Sequence, residues 1–257
     1  LFKFASLTAN RYCDLVGDSD GFSLLPFFMA TRAAVRAHVL AVQAEEGRKG
    51  RELSKGARSY FDLAWKLLQK GKPHLVIIGG LSGSGKSTIA EALAPALNSA
   101  PGARIIESDR IRKHLHGMLP EKRLPQSAYS REMNEQVYDC AAEQAGNLLS
   151  DGCVVVANAV YSDDARRCQI ENVARDCGVP FTGIWLDAPP DILRSRIHDR
   201  RVTASDADVT VLELQMRSVS LPHNWHRVDA VNPVGEIVRS IVERIERCTS
   251  QDGSREK

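Results

Sequence analysis

Apolar and polar positions recur with one period before about residue 72 and with another after it. In the first stretch, apolar residues return every three or four positions, as on one face of a helix. From Leu24 to about Glu46 the pattern is almost unbroken by turn residues and predicts a helix after the Gly- and Asp-rich loop Gly17–Gly21. Ser23 is its expected cap, and Pro26 is tolerable in a first turn. Gly47 and Gly50 end it. A second helix follows, with Leu53, Ala57, Tyr60, Phe61, Ala64, Trp65 and Leu68 on one stripe, closed by Gly71 and Pro73. Both read as packing helices of an incomplete domain.

From His74 short apolar, partly β-branched runs alternate with helical patterns, which predicts a parallel sheet with crossover helices. Strands are expected at His74–Gly79, Ala103–Ser108, Gly152–Asn158, Phe181–Asp187 and Arg227–Ala230. Helices are expected over Lys86–Leu97, Asp109–Leu115, Gln126–Ser150, Asp163–Cys177, Asp191–Arg201, Val209–Ser218 and Val234–Cys248, with Thr203–Asp208 a polar loop. The chain thus divides into a helical segment, 1–71, an α/β domain, 72–248, and a polar, flexible tail, 249–257.

Composition narrows the class. Of 257 residues 43% are hydrophobic, and 34 Lys and Arg against 32 Asp and Glu leave a net charge of +2. That balance does not indicate a nucleic-acid partner bound through a bulk basic surface, although a local basic pocket stays compatible with it. The longest continuous apolar runs, around Leu75–Leu81 and Cys153–Val160, fall far short of the roughly 18 residues of a membrane span. No basic-then-apolar signal pattern opens the sequence. Six cysteines with no Cys-x-x-Cys pair fit no zinc site, and a disulfide framework is optional in a chain this long, so a reducing cytoplasmic setting is expected.

The candidate chemistry centres on Gly80-Leu81-Ser82-Gly83-Ser84-Gly85-Lys86-Ser87, a match to G-x-x-x-x-G-K-[ST] lying between a strand and a helix. Gly80, Ser82, Gly83, Ser84 and Gly85 let backbone N–H groups wrap around phosphate oxygens, and the helix that starts near Lys86 adds its positive end. Lys86 is expected on the β- and γ-phosphates, Ser87 on Mg²⁺ and Thr88 near the α-phosphate. These features imply a nucleoside-triphosphate site. Asp109, just past the second strand, is placed to take a proton from an acceptor hydroxyl or to orient Mg²⁺, unless it only caps the next helix. Arg112 is the candidate to steady the acceptor. Arg196 and Arg200, four apart in a cluster with Arg194 and Arg201, would suit a lid over the transferring phosphate, unless they are a solvated face. His114 and His116 point to different sides of a helix, and Trp225 with His223 and His226 reads as packing.

Residues from about 72 to 248 resemble small P-loop kinases of the AAA family ATPase type, whose kin include gluconate kinase, polynucleotide kinase and zeta-toxin-like kinases. The resemblance rests on Ile77 to Thr88, on Ser108-Asp109-Arg110-Ile111-Arg112-Lys113 and on Trp185-Leu186-Asp187-Ala188-Pro189. Gly21-Phe22-Ser23-Leu24-Leu25-Pro26-Phe27-Phe28 and Arg32 to Ala37 resemble the C-terminal end of an aminoglycoside-phosphotransferase-like domain, which some proteins fuse ahead of such a kinase. The resemblance implies a three-layer sandwich around a parallel sheet of order 2-3-1-4-5. It also implies an enzyme that uses ATP and Mg²⁺ to phosphorylate a hydroxyl of a small or nucleotide-like acceptor, with Asp109 on the acceptor side and lid arginines within Arg194–Arg201. The N-terminal helices would pack on a phosphotransferase-like domain. The alternatives are a regulatory NTPase without an acceptor, a polynucleotide 5′-kinase and a toxin-like sugar-nucleotide kinase. One departure stands out: relatives commonly carry Asp where this chain has Asn158, and Asn is no base and a weaker Mg²⁺ ligand.

Overall fold

Five runs too short for helices, apolar in β1, β3 and β4, form the strands β1 (His74–Gly80), β2 (Arg104–Glu107), β3 (Val154–Asn158), β4 (Phe181–Asp187) and β5 (His226–Asp229). All pair in parallel, in the order 2-3-1-4-5. The computed structural model describes residues 2–46, 50–69, 71–97, 100–199 and 204–252. Successive side chains of a strand point to opposite faces, so β1, at the centre, is apolar from Leu75 to Gly80, after a buried His74. Leu75 and Ile77 enter one core with Val155, Ala157 and Trp185. Val76 and Ile78 enter the other with Val154, Val156, Ile184 and Leu186. Helices α4 (Lys86–Leu93) and α10 (Val234–Asp252) cover the second face, and α6 (Arg131–Ser150) with α7 (Asp164–Asp176) the first. This is the expected three-layer arrangement.

Several boundaries differ from the sequence reading. The helix after the phosphate loop stops at Leu93, because Pro95 tightens Ala94–Ala96 into a 3₁₀ turn. Gln126–Ser150 is two pieces: a 3₁₀ turn over Gln126–Tyr129, then α6, capped by the Ser130 hydroxyl, which accepts from the Met133 N–H. α10 runs on through Asp252, past the expected start of the tail. Trp225 packs as expected, buried edge-to-face on Tyr161, with its indole N–H donated to Glu171 at 2.6 Å.

The N-terminal segment departs most. A helix that the sequence pattern did not predict, α1 (Phe2–Val16), precedes α2 (Gly21–Glu46) and α3 (Gly50–Leu67). Asp18, not Ser23, accepts from the first N–H of α2, at 2.8 Å; the Ser23 hydroxyl donates to Asp20 O instead. Residue 71 is not a packing boundary, since Cys13 and Phe22 are buried in the same core as β1 and α6. Along the outer edge of the sheet, the Asn10 side chain accepts from Ile105 N at 2.7 Å and donates to Ala103 O at 3.1 Å. Its amide occupies the hydrogen-bonding positions a further strand would take. The stripe expected to pack on α3 is buried only in its small residues: Ala57 and Ala64 are buried, with Leu67 beside them, while its Phe61 and Trp65 are 57% and 65% exposed, as is Phe27 on α2 at 58%. By length and composition alone, Gly21–Glu45 of α2 is apolar enough to cross a membrane. A search for uninterrupted apolar runs passes over it because Arg32 and Arg36 break the run.

One buried group gives the fold a pH dependence. The His74 Nε2 atom lies 2.9 Å from the Thr182 hydroxyl, Nδ1 has no partner, and burial pushes the imidazole pKa down to about 4. An unfolded histidine titrates near 6.5, so the stability tied to neutral His74 is fully present above that value and is lost as pH falls toward about 4. The whole gap is worth on the order of 3 kcal/mol. Urea midpoints for the native chain are therefore expected to drop between pH 7 and pH 5, and His74→Leu should flatten that dependence.

Candidate active site

All five strands end on the same side of the sheet, where ligands gather in such folds. The loop after β1 reverses direction within a few residues. Gly85 sits at φ +91°, with open space where a side chain would stand. α8 (Pro190–His198) presses on the loop so closely that a Cβ on Gly83 would lie 2.7 Å from Leu193 O. Ser84 N donates to Leu81 O at 3.1 Å, and the Lys86 ammonium donates to the same carbonyl at 2.9 Å, folding the lysine back over its own loop. Ser82 N donates to Gln215 on α9 (Val209–Ser218) at 2.9 Å. The result is a cleft of about 1620 Å³.

That cleft brings together Ser82, Gly83, Ser84, Gly85, Lys86, Ser87, Thr88, Asp109, Arg112 and Arg196. Gly80 is not on its wall; it lies beneath the loop, against Leu186 and Ser84. Arg200 lies outside the described residues, as does Arg201. Arg194 is half-exposed and paired with Glu213 at 2.8 Å.

Arg196 stands across the phosphate loop from Asp109, on the β4–β5 side. The lid expectation has its guanidinium over the transferring phosphate, whereas it donates to Ala230 O, just past β5, at 2.8 Å. A guanidinium held there is expected to act on a bound nucleotide more than on the transfer. Arg196→Ala is expected to weaken ATP binding roughly tenfold, about the worth of one charge-assisted hydrogen bond, with a smaller change in turnover. Calorimetric titration beside steady-state kinetics checks the split.

On the other side of the loop two carboxylates have separate partners. Glu107, at the end of β2 and buried, accepts from the Ser87 hydroxyl. Asp109 is in the first turn of α5 (Ser108–Leu115), one residue inside its start; Glu107 is at the cap position, with no side-chain cap bond, so Asp109 is not the helix cap. Burial raises the Asp109 pKa above the ordinary aspartate value, and neighbouring Glu107 adds to the rise, against a hydrogen bond from Ser205 and the charges of Lys86 and Arg112. Ser205 is held there by its neighbour Asp206, which takes Lys113 Nζ at 2.8 Å, Leu124 N at 2.9 Å and the Tyr129 hydroxyl at 2.8 Å.

Arg112 is buried among Ala128 O at 2.9 Å and Asn134 at 2.8 Å, with its guanidinium 4.8 Å from the centre of the Tyr129 ring. Asn158, paired in register with Glu107, is buried on the cleft wall with its side-chain N–H₂ unpartnered. Sequence reasoning left Glu107, Gln215, Asp206 and Arg11 without roles. For Glu107 a signal was present, a charged residue closing an apolar strand; for the others the partners are too far apart in sequence.

Among known proteins, an uncharacterized protein of Mycobacterium tuberculosis is 30% identical over 224 residues, which is 84% of this chain and 43% of that protein. The chain therefore spans less than half the length of that relative. The adenylyl-sulfate kinase of Myxococcus xanthus is 31% identical over 117 residues, 46% of this chain and 59% of that enzyme. The crystal structure of a gluconokinase from Sinorhizobium meliloti superposes with a TM-score of 0.52 at 22% identity, covering 72% of this chain and 98% of that one, and shares the P-loop kinase fold. With the sheet order and the loop geometry in place, the match of residues 75–222 to the AAA domain family model, over more than half of the chain, makes this protein a member of that family.

Proposed function

We propose that the chain transfers the γ-phosphoryl group of ATP to a hydroxyl of a small or nucleotide-like acceptor. The observation that carries this is Asp109: a carboxylate on the cleft wall beside the phosphate loop, apart from the carboxylate that meets Ser87. A plain NTPase needs only the second of these.

The loop N–H groups and Lys86 hold the phosphates, and Arg196 secures the nucleotide on the β5 side. The residues present fit Mg²⁺, a hard cation that takes oxygen ligands: the Ser87 hydroxyl and Glu107 carboxylate are adjacent at the loop. Glu107 thereby provides, from β2, the charge that Asn158 on β3 lacks. Mg²⁺, when bound, neutralises charge developing on the phosphate oxygens. Asp109 accepts the proton of the acceptor hydroxyl as its oxygen bonds to the γ-phosphorus and the bond to the β-phosphate oxygen breaks, leaving ADP and the phosphate ester. Arg112, fixed by Ala128, Asn134 and Tyr129, orients the acceptor beside Asp109.

Transfer from γ-labelled ATP to fractionated metabolite pools tests this reading. A labelled ester that appears with the native chain and not with the Asp109→Asn variant supports it. ATP hydrolysis that depends on Lys86, with no pool stimulating turnover, would replace it by the regulatory NTPase.

A further inference from the structure

The nucleotide site includes a side chain from the N-terminal segment. Arg11, on α1, reaches the wall of the cleft, with Nη1 3.1 Å from Asp14 and 3.4 Å from Glu107, and with Nη2 on Glu91 of α4. One guanidinium thus ties α1 to the end of β2 and to the helix that begins at the phosphate loop. Glu107 is divided between two duties. One oxygen accepts from Ser87; the other accepts from Arg110 at 2.8 Å and faces Arg11. Around this pair the contacts continue into the body of the domain, with Asp14 on Arg104 at 2.7 Å and Arg110 at 3.5 Å from Asp14. Long, rotatable side chains lose entropy when they are fixed, so a bridge of this kind is strongest where its acceptors are already held still.

We infer that Arg11 is a positioning residue that makes docking of α1 and binding of nucleotide at the phosphate loop mutually reinforcing. The inference rests on the reading of Gly80–Ser87 as a nucleotide site. A triphosphate with Mg²⁺ immobilises Lys86, Ser87 and Glu107 and the start of α4; Glu107 directly, and Glu91 through α4, are Arg11's own anchors. The cost of ordering those anchors is then met by the ligand, and α1 docks more firmly. By linkage the reverse holds with the same factor: a docked α1 keeps Glu107 and α4 in place for the nucleotide. The segment upstream of the sheet is in this way a handle on the kinase site, and whatever displaces α1 weakens nucleotide binding.

Hydrogen–deuterium exchange of the full chain, with and without Mg²⁺ and a non-hydrolysable ATP analogue, tests this. In the native protein the analogue should slow exchange both in the phosphate loop and in α1, the latter by about tenfold, within the usual range of coupling between two sites. In Arg11→Met, which keeps the aliphatic stem, slowing in the loop should persist while slowing in α1 disappears. Arg11→Lys should restore part of it. Affinity for the analogue should fall in Arg11→Met by the factor lost from α1. A merely structural Arg11 would speed α1 exchange equally with and without ligand, and that result overturns the inference, as does an α1 indifferent to ligand in the native chain. If Arg11→Met does not fold, Glu91→Gln takes its place, with a weakened α1 response expected and an unchanged one overturning. Should the loop itself not respond in the native chain, the nucleotide-site reading falls and this inference with it.

Discussion

Lys86→Ala is expected to abolish measurable turnover, a loss of about a thousandfold or more, and to weaken triphosphate binding with it. The loop from Gly80 to Ser87 carries no other side-chain cation. Removal of a single preorganised donor aimed at developing charge already costs roughly 10²–10³ in rate. Lys86 combines such a donor with a full charge, held over the loop by Leu81 O. Calorimetry with ATP and Mg²⁺, beside initial rates, checks both parts. Native-like affinity together with native-like turnover in the variant would remove the loop from the mechanism.

Asp109→Asn is the second large effect, and it separates binding from transfer. The amide keeps the shape of the carboxylate and removes its capacity to accept a proton. General-base help is typically worth about a hundred- to ten-thousandfold, so transfer to a genuine acceptor should slow by at least about a hundredfold at saturating Mg²⁺ while ATP still binds. The pH profile carries the same signature. Burial raises the Asp109 pKa, so turnover should fall on the acid side at a pH above the range of an ordinary aspartate, and the variant should lack that limb. The sign for stability is opposite to that of a salt-bridged aspartate: what this group contributes is fully present below the ordinary aspartate value and lost as pH rises through the raised one. At neutral pH the variant is therefore expected to be no less stable than the native chain, and chemical denaturation verifies that the lost rate is not lost fold.

The two halves of the chain were unequally legible, for physical reasons. The phosphate loop was plain because its glycines answer to local geometry, and the central strands β1, β3 and β4 because burial on both faces leaves them mostly apolar. α1 was missed because its inward face is polar. Ser6, Asn10 and Cys13 are buried, whereas Phe4, Tyr12 and Leu15 are exposed, so hydrophobic periodicity points the helix the wrong way. The aromatic stripe on α3 misled for a related reason, since small alanines let α2 and α3 approach and the large residues turn outward. At the cleft, Asp109 and Arg112 could be picked out near a strand end. The partnership of Ser87 with Glu107 could not, because the buried carboxylate comes 20 residues later and from another strand.

The Asn10 amide on the rim of the sheet has a consequence for solubility. A bare outer strand offers its N–H and C=O groups to any extended chain that meets it, and that is how β-rich proteins begin to aggregate. Here one side chain from α1 fills the two positions at Ala103 and Ile105, and the Arg104 guanidinium donates to Ile105 O. A shortened chain begun at the phosphate-loop strand would keep every glycine of the loop and both carboxylates, yet would present β2 as a template for its own copies.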